Sequence, residues 1–458
     1  MRDRARAVVI GGGVGGCAVL YWLARLGWDD VVLVERAELT SGSTFHSAGL
    51  VGQLRSSLSL TRMMMSSVDL YRSLESEVGL ATGWREVGSL RLASSEERVE
   101  EIARQAGWAK TFGPLVLGDV GWHDGSPVEP SPRQVLRAQL ERAEKLGLTP
   151  MAGSELEFYL LQETFAEAHA KGYASLTPSV PYILDCHVLA TTYDEPLLRA
   201  IRNGMHTAGI RVETSKGEAW PGQQEINFRY ADALVMADNH VIYKNGSKEI
   251  AFLHGQSLTS MAKPFEDWIG NSCHIHSSLQ RDGQAVFAED DALFGQWLAG
   301  QIACAKELAV FFAPTINSYK RYAAGSWAPT TLAWGYDNRT CGFRVVGHGV
   351  AKRVETRIPG GDVNPYLALA AMIASGLHGI EARLEAPPPL EGNAYESDAE
   401  RFPSTMREAV AALEDGAMAR AAFGDQVVDH YLNYARTEQA IFDRFVTDWE
   451  RKRYFERG

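Results

Sequence analysis

The sequence is poor in cysteine. Its 458 residues include five cysteines, Cys17, Cys186, Cys273, Cys304 and Cys341. Their number is odd, and their spacing is not that of paired metal ligands. Neither a disulfide framework nor a cysteine-ligated zinc site is therefore predicted. This cysteine usage favours a reducing, cytoplasmic environment.

The chain also lacks an excess of positive charge and a long hydrophobic run. Lys and Arg number 45 against 57 Asp and Glu, which gives a net charge of −12. An acidic chain is a poor partner for nucleic acid or for an anionic membrane surface. No apolar stretch approaches the roughly 20 residues that span a bilayer, and the N-terminus shows no signal-peptide pattern. We expect a cytoplasmic protein with no nucleic-acid or membrane partner, long enough for two or three domains.

A glycine-rich motif lies between two apolar runs, "ARAVVI" and "VVLV", that predict strands. Gly11, Gly13 and Gly16 form G-x-G-x-x-G at the start of a predicted helix, and Glu35 follows the second strand. Glycines let the backbone approach a pyrophosphate, and a carboxylate at this distance accepts from a ribose hydroxyl. The pattern predicts a dinucleotide-binding βαβ unit. The alternative is a glycine-rich turn that binds nothing.

The first 113 residues resemble the start of FAD-dependent oxidoreductases of the dimethylglycine and sarcosine dehydrogenase group. The resemblance rests on the glycine motif and on the segment "LTSGSTFHSAGLVGQL". It implies that His46 carries covalently bound FAD. No second glycine-rich FAD segment follows downstream, so the fragment is expected to be truncated and to bind FAD weakly or not at all.

Glycine and proline cluster between residues 113 and 132, where the character of the sequence changes. Such a cluster is typical of a domain boundary. We therefore expect a fragment over 1–113 and a second domain over 114–458. Towards the C-terminus, amphipathic patterns predict two helices, over 404–424 and 425–455.

Glutamates lie within apolar segments of the second domain. Glu155 and Glu157, in "SELEF", share one face of a predicted buried strand. Buried carboxylate pairs need a compensating cation, whereas an edge strand would expose them. Similar strand contexts recur in "KGEAWPGQQE", "HIH" and "RVETR". The candidate metal ligands are Glu155, Glu157, Glu218, Glu225, His274 and Glu355. Five carboxylates and one imidazole favour Mg²⁺ or Mn²⁺ over zinc.

Arginines accompany these glutamates. Arg321, Arg339 and Arg344 lie in a β-rich segment between the histidines and Glu355. Planar guanidinium groups suit phosphate and carboxylate recognition, although each arginine alone could be an ordinary surface residue. Together they predict a shared site for anionic substrates.

Six motifs in this domain resemble the catalytic domain of the glutamine synthetase family. They are "SELEF", "EAWPGQQEINF", "HIHSSL", "NSYKR", "NRTCGFRV" and "KRVETRIPGGDVNPYLALAA", and they occur in the family's order. The resemblance covers about three quarters of the chain. It implies an α/β and α+β architecture: the N-terminal Rossmann-like fragment, then a curved antiparallel sheet forming a partial barrel with helices outside.

The resemblance also implies residue roles. One metal ion would be held by Glu157, Glu218 and Glu225, and another by Glu155, His274 and Glu355. Glutamate would be bound by Arg321 and Arg357, with Gly270 bordering its pocket. Arg339 would face the transferring phosphate. The nucleotide would be contacted by His276, Ser278, Arg344 and Lys352.

The implied reaction is an ATP-dependent ligation of glutamate to an amine through γ-glutamyl phosphate. Trp327 lies where glutamine synthetases carry a glutamate that helps to deprotonate ammonium. An indole cannot accept that proton, but it can form an apolar or cation–π wall. The sequence therefore favours an alkylamine or polyamine over ammonia, as in γ-glutamyl-amine ligases.

The family's N-terminal β-grasp domain, which completes the neighbouring subunit's active site, is mostly missing from this sequence. The flavoprotein-like fragment stands in its place. A homo-oligomer is expected, although this replacement leaves the ring assembly open. Two alternatives to the ligase follow: an FAD-dependent amine oxidoreductase, or an inactive fusion remnant.

Overall fold

The computed structural model describes residues 4–44, 47, 51–53, 58–84, 117–183, 185 and 187–457. The chain divides into two compact units, Met1–Val116 and Leu117–Gly458. His46, the predicted attachment position for FAD, lies outside the described residues. Among the described helices, none has the combination of length and apolar character needed to cross a membrane.

The first unit contains the βαβ arrangement that the glycine motif predicts. Its elements are β1 (Ala7–Ile10), α1 (Val14–Arg25), β2 (Val31–Val34) and α2 (Leu58–Val78). Strands β1 and β2 pair in parallel, with Ala7 opposite Val31 and Ile10 opposite Val34. The short crossover through α1 is the expected connection between parallel strands.

The described part of the first unit buries little apolar surface. No residue of α1 is buried, and the side chains of Ile10 and Leu26 are 86% and 73% exposed. Parallel sheets normally have both faces covered, and two strands are too few for an independently stable sheet. Within the described residues, this unit therefore presents only the start of a dinucleotide-binding fold.

The second unit contains a ten-stranded sheet and the other helices of the described residues. Its strands are β3 (Thr149–Leu161), β4 (Val212–Gly217), β5 (Gln223–Phe228), β6 (Ala231–Asp232), β7 (Ser257–Thr259), β8 (Cys273–Arg281), β9 (Gln284–Ala285), β10 (Trp334–Tyr336), β11 (Phe343–Val346) and β12 (Arg353–Thr356). Its α-helices are α3 (Pro132–Lys145), α4 (Phe165–Ala170), α5 (Val188–Thr207), α6 (Ala233–Leu253), α7 (Asp291–Cys304), α8 (Ala309–Phe312), α9 (Ile316–Tyr319), α10 (Pro365–Glu381), α11 (Met406–Glu414), α12 (Ala417–Phe423), α13 (Asp425–Phe442) and α14 (Asp448–Tyr454).

The sheet follows the order β10-β11-β12-β8-β3-β5-β4, with β6 and β7 also paired to β3 and β9 paired to β8. All these pairings are antiparallel except that between β10 and β11, which is parallel. The predicted antiparallel sheet with helices is therefore present. The sheet is open rather than a closed barrel, because β10 and β4 form its edges.

Helix α10 lies at the centre of the hydrophobic core. Fourteen of its 17 residues are buried, as expected of a helix that is apolar on every side. Asn364 accepts hydrogen bonds from the amides of Tyr366 and Leu367, and Pro365 begins the helix. A Cβ on Gly300 of α7 would lie 2.1 Å from the Ser375 carbonyl oxygen of α10. The two helices therefore pack backbone against backbone.

The predicted pair of C-terminal helices is wrong in detail, because four helices occupy those residues. The first predicted helix is interrupted at Gly416, where a Cβ would lie 2.2 Å from the Glu307 side chain. The second predicted helix is interrupted after α13, and the chain becomes helical again at α14, which starts at a capping box formed by Thr447 and Glu450. Local packing and capping interrupt an amphipathic pattern that is otherwise continuous.

Candidate active site

The sheet brings the predicted acidic residues to one region. Glu155 and Glu157 lie two residues apart on β3, so their side chains share a face. Glu155 pairs with His274 of β8, and Glu157 pairs with Glu225 of β5. Glu355 enters from β12, opposite His276. Strand pairing therefore collects residues that are 200 positions apart in the chain.

Glu155, His274 and Glu355 form one convergent group of possible metal ligands. Each offers one ligand atom, and these atoms lie within 4.8 Å of one another. Nδ1 of His274 lies 3.4 Å from Oε2 of Glu155 and 3.6 Å from Oε1 of Glu355. These three residues are the ones predicted from the sequence to hold one metal ion.

Glu157, Glu225 and His274 form a second group with the same spacing limit. The sequence analysis places Glu218, rather than His274, with this glutamate pair. In the structure Glu218 belongs to neither group, and its Oε1 atom lies 2.5 Å from Nζ of Lys216. The two groups share His274 and adjoin each other.

Glu157 and Glu225 are buried carboxylates that lie near other acidic side chains. Burial raises the pKa of Glu157 to about 7, and the charge of Glu218 contributes. Burial likewise raises the pKa of Glu225 to about 8, with a further contribution from the charge of Glu155. Buried carboxylates that share a site cannot all ionise without a cation. This chemistry fits a divalent metal ion with oxygen ligands.

His274 is buried, and its burial lowers its pKa to about 4, with the charge of Arg357 adding to the effect. The imidazole is therefore neutral at pH 7, which a metal ligand requires. The pKa of Glu155 shifts in the opposite direction to that of Glu157. Burial opposes its ionisation, but hydrogen bonds with His274 and His276 outweigh burial and hold the pKa of Glu155 below its usual range.

Two arginines hold Glu355. Nη1 of Arg344 donates to Oε2 of Glu355 at 2.8 Å, and Arg357 makes a short ion pair with Oε1. Arg344 also donates from Nε to Asp337 at 3.0 Å. The guanidinium of Arg357 is anchored on its other side, where its Nε donates to the Arg339 carbonyl oxygen at 3.1 Å. Both oxygens of Glu355 are therefore fixed by charge-assisted hydrogen bonds.

Arg321 is buried against the backbone that follows β12. Its Nη2 atom donates to the carbonyl oxygens of residues 357, 358 and 359, at 3.0, 2.7 and 2.8 Å. Gly270 packs directly on this side chain, because a Cβ at Gly270 would lie 2.5 Å from Cγ of Arg321. The structure thus joins two of the residues predicted to bind glutamate, and Nε of Arg321 is buried with no hydrogen-bond partner among the described residues.

The predicted nucleotide contacts are in different environments. Nε2 of His276 lies 2.8 Å from Oε1 of Glu155, and Ser278 lies two residues further along β8. Lys352 donates to Asp291 at 2.6 Å, and its Nζ lies 3.8 Å from the centre of the Phe294 ring. His276 and Arg344 therefore contact the acidic groups, whereas the described contacts of Lys352 are elsewhere.

Trp327 lies in an exposed loop after Arg321. Its side chain is 55% exposed, and its φ of 61° is unusual for a residue with a side chain. The hydroxyl of Tyr395 donates to the Ala328 carbonyl oxygen at 2.9 Å, and Ser326 donates to that of Ala323 at 2.6 Å. The loop is thus tied on both sides of the indole.

Several further residues at the site were not predicted from the sequence. Arg353 donates from Nε to Nδ1 of His276 at 3.1 Å. Gln223 donates to the Gly270 carbonyl oxygen and to Asn271 at 3.2 and 3.1 Å. The two-residue period of a strand could have predicted Arg353 and Lys216 as site residues, because they lie two residues before Glu355 and Glu218 respectively.

The glycine motif of the first unit adopts a closed turn. Gly11 has a φ of 101°, and a Cβ on Gly16 would lie 1.8 Å from the Gly11 carbonyl oxygen. The Gly12 amide donates to Oε2 of Glu35 at 2.6 Å, a contact that lowers the pKa of Glu35. Gly13 precedes α1 as its N-cap. These residues fit the pyrophosphate end of a dinucleotide, but the described part of this unit offers no cover for a flavin ring.

Comparison with known families gives two matches. The family "Glutamine synthetase, catalytic domain" matches residues 129–454, and "FAD dependent oxidoreductase" matches residues 6–159. The second match extends across α3 and most of β3. Those elements belong to the second unit and its ten-stranded sheet.

Similar proteins agree with the first match. γ-Glutamylethanolamide synthetase GlnA4 of Streptomyces coelicolor is 53% identical over 347 residues, which are 75% of each chain. Glutamate–isopropylamine ligase of a Pseudomonas species is 40% identical and covers 74% of this chain and 77% of its own. Glutamine synthetase of Thermus thermophilus is 36% identical over 74% of this chain and 78% of its own.

A solved GmaS–ADP complex has a TM-score of 0.66 and 32% identity over 74% of this chain and 80% of that chain. The fold and the sequence therefore indicate the same family, and the resemblance predicted from the six motifs is confirmed. Through its catalytic domain, this chain belongs to the glutamine synthetase family.

Proposed function

We propose that the chain is an ATP-dependent ligase that joins the γ-carboxylate of glutamate to an alkylamine. The observation that carries the proposal is the pair of adjoining ligand groups, which share His274 and lie beside Arg344 and Arg357. Carboxylates that bind cations, set beside arginines, suit phosphoryl transfer from a nucleotide. The two relatives that act on ethanolamine or isopropylamine support the class of nucleophile.

The cofactors in this proposal are divalent cations, Mg²⁺ or Mn²⁺. The raised pKa values of Glu157 and Glu225 support the fit, because they indicate buried carboxylates whose nearby positive charge does not offset burial and the neighbouring carboxylates. The proposed ligands are Glu155, His274 and Glu355 for one ion, and Glu157, Glu218 and Glu225 for another. When bound, such ions neutralise charge on the phosphates of ATP.

The chain's own residues bind and orient the substrates in this proposal. Arg321 and Arg357 hold the carboxylates of glutamate, in a pocket bordered by Gly270. Arg339, exposed between β10 and β11, faces the phosphoryl group in transfer. The nucleotide contacts are His276, Ser278, Arg344 and Lys352. Arg321 and Lys352 must exchange their present partners, backbone carbonyls and Asp291, for substrate.

The reaction proceeds in two steps. An oxygen of the glutamate γ-carboxylate attacks the γ-phosphorus of ATP, the bond to the bridging oxygen of ADP breaks, and γ-glutamyl phosphate forms. The unprotonated amine then attacks the acyl carbon, inorganic phosphate leaves, and the nitrogen loses a proton to give the amide. Arginines that stabilise charge on the transferring group lower both barriers without acting as acid or base.

Trp327 supports an alkylamine as the nucleophile. The indole is exposed on a loop that Tyr395 and Ser326 hold in place. It lies six residues after Arg321, which the proposal assigns to glutamate. An aromatic face attracts an alkylammonium and covers its carbon chain, whereas ammonia gains little from such a wall.

The test is phosphate release from ATP with Mg²⁺ and glutamate. The amines compared are ammonia, methylamine, ethanolamine, isopropylamine, putrescine and spermidine. We expect release that depends on both glutamate and one alkylamine, with ammonia the poorer substrate. A Glu155→Gln variant is the matched control, since it keeps the shape of the side chain and removes a proposed ligand. A kinetic preference for ammonia over every alkylamine would contradict the proposal.

The FAD-dependent oxidoreductase match favours a second candidate function for the first unit. Gly11, Gly13, Gly16 and Glu35 have the turn geometry of a dinucleotide-binding loop. For a flavin, the described residues of this unit provide only that loop. A visible flavin absorbance in the purified chain would favour this candidate. We also propose that the junction lies near Gly113 and that the chain is a homo-oligomer.

A further inference from the structure

Lys216 contacts two of the glutamates assigned to one metal ion. Its Nζ atom lies 2.5 Å from Oε1 of Glu218 and 3.4 Å from Oε1 of Glu225. Lys216 is opposite Glu225 in the β4–β5 pairing, and Glu225 is opposite Glu157 in the β5–β3 pairing. An ammonium group therefore stands at the end of a row of carboxylates that crosses three strands.

The carboxylates in this row need positive charge. Glu157 and Glu225 are only 8% and 3% exposed, and ionised carboxylates at such close range repel one another strongly where water is excluded. Among the described ion pairs, those to Glu218 and Glu225 both come from Lys216. The lysine thus supplies the compensating charge on this side of the site.

On the opposite side of the site, the negative charge of Glu355 is compensated by arginines. Arg344 and Arg357 both form ion pairs with Glu355. Arg344 also donates to Asp337, and Arg357 also donates to a backbone carbonyl oxygen. A guanidinium held by several hydrogen bonds is fixed in place, whereas a lysine ammonium is a point charge on a flexible stem. The side chain of Lys216 is 44% exposed and lies on β4, an edge strand. It has free access to solvent.

We propose that Lys216 is an internal counter-cation that occupies the Glu157, Glu218 and Glu225 side of the site when no divalent ion is bound, and that a divalent ion displaces it. The lysine bridges Glu218 and Glu225, and Glu218 falls outside both convergent groups. When the ammonium leaves for solvent, Glu218 is released as a ligand. Lys216 therefore stabilises the metal-free protein and lowers its affinity for the ion.

This inference rests on the metal positions of the proposed function and not on the choice of amine. The test measures Mn²⁺ binding by calorimetry and the melting temperature of the metal-free full chain. The variants are Lys216→Met, which removes the charge and keeps the stem, and Lys216→Arg, which keeps the charge. Lys171→Met is the matched control, because Lys171 is 46% exposed and pairs at 2.6 Å with the buried Glu163, outside the site.

We expect Lys216→Met to melt several degrees below the parent chain and to bind Mn²⁺ about tenfold more tightly, because a competing charge is gone. Lys216→Arg binds no more tightly than the parent chain, and Lys171→Met leaves the dissociation constant unchanged. Unchanged or weaker binding in Lys216→Met would overturn the proposal, since a purely structural lysine lowers the melting temperature alone. A parent chain that binds no Mn²⁺ would overturn the metal positions too. Phosphate release without amine dependence would count against the proposed function alone.

Discussion

Arg353 donates its Nε–H to Nδ1 of His276 over 3.1 Å. Since Nδ1 accepts this bond, the other nitrogen of a neutral imidazole carries the hydrogen. That nitrogen, Nε2, donates to Oε1 of Glu155 at 2.8 Å. Oε2 of Glu155 is thereby left facing His274, 3.4 Å away. Arg353 thus orients a proposed metal ligand through an intervening histidine.

Arg353→Lys tests this orientation without changing the charge. A lysine lacks the Nε–H and the planar fork, so His276 and Glu155 lose their fixed arrangement. We expect Mn²⁺ binding to weaken by about 10- to 100-fold, the usual cost of losing an outer partner of a metal ligand. Calorimetric titration measures the change. Arg281→Lys, at the exposed end of β8, is the control, and equal affinities for the two variants would contradict the prediction.

Trp327→Ala is expected to raise the KM for alkylamines by about 2- to 30-fold, the range of a lost cation–π contact. The KM values for glutamate and ATP should change little, because the indole is exposed, whereas Arg321 and Arg357 are buried and held by backbone carbonyl oxygens. Steady-state phosphate release with each substrate varied in turn measures this. Trp327→Phe keeps an aromatic face and should retain most of the affinity. Equal changes in all three KM values would point to a disturbed loop instead.

The metal-free chain should lose stability as the pH rises from about 6.5 to about 8, above the range in which the buried His274 and His240 act in the opposite direction. Glu157 and Glu225 have pKa values of about 7 and about 8 in the folded chain, above the ordinary value of about 4.3. In this window the folded state binds more protons than the unfolded state, so the free energy of unfolding falls as the pH rises.

Mn²⁺ should reverse this loss, because the ion replaces the bound protons. The rise in melting temperature on adding Mn²⁺ is therefore expected to grow between about pH 6 and about pH 8.5. Calorimetry in buffers of different ionisation enthalpy should detect proton release. Glu225→Gln should reduce both effects, and a Mn²⁺ effect that is flat across this range would refute the assignment.

Gly270→Ala is expected to displace Arg321, because the new methyl group would lie 2.5 Å from its Cγ and 2.7 Å from the Ala262 carbonyl oxygen. We expect a loss of about 1–3 kcal/mol in the free energy of unfolding, the usual cost of overpacking, and a higher KM for glutamate. Urea unfolding and kinetics measure these. Gly295→Ala on α7 has open space and should stabilise the chain by up to about 1 kcal/mol. If the two variants behaved alike, the packing argument would fail.

The residue types and the strand period predicted much of the site. The spacing of two places Glu155 and Glu157 on one face, and the structure sets both beside β5 and β8. The position of Glu218 could not be predicted, since it depends on the rotamer of Lys216 and on the register between β4 and β5. That register shifts between Val212 and Thr214, and no sequence pattern announces the shift.

The hydrogen-bond partners of Arg321 could not be predicted from local sequence either. Its sequence context predicts a ligand for an anion, yet its Nη2 atom donates to three backbone carbonyls. Those carbonyls come from the segment after β12, and their approach follows from the path of the whole sheet. Local sequence predicts which side chains can act, whereas tertiary contacts decide which partner each one holds.

Strand β3 pairs with β5, β6, β7 and β8 along its 13 residues. Its amide hydrogens should therefore be among the slowest in the chain to exchange with deuterated water, since releasing them requires the sheet to open as a whole. A chelator could then strip the metal ions without loosening the strand that carries Glu155 and Glu157. The strand would keep its shape in the emptied site, so reloading would need movement of the Lys216 and Glu218 side chains but no refolding step.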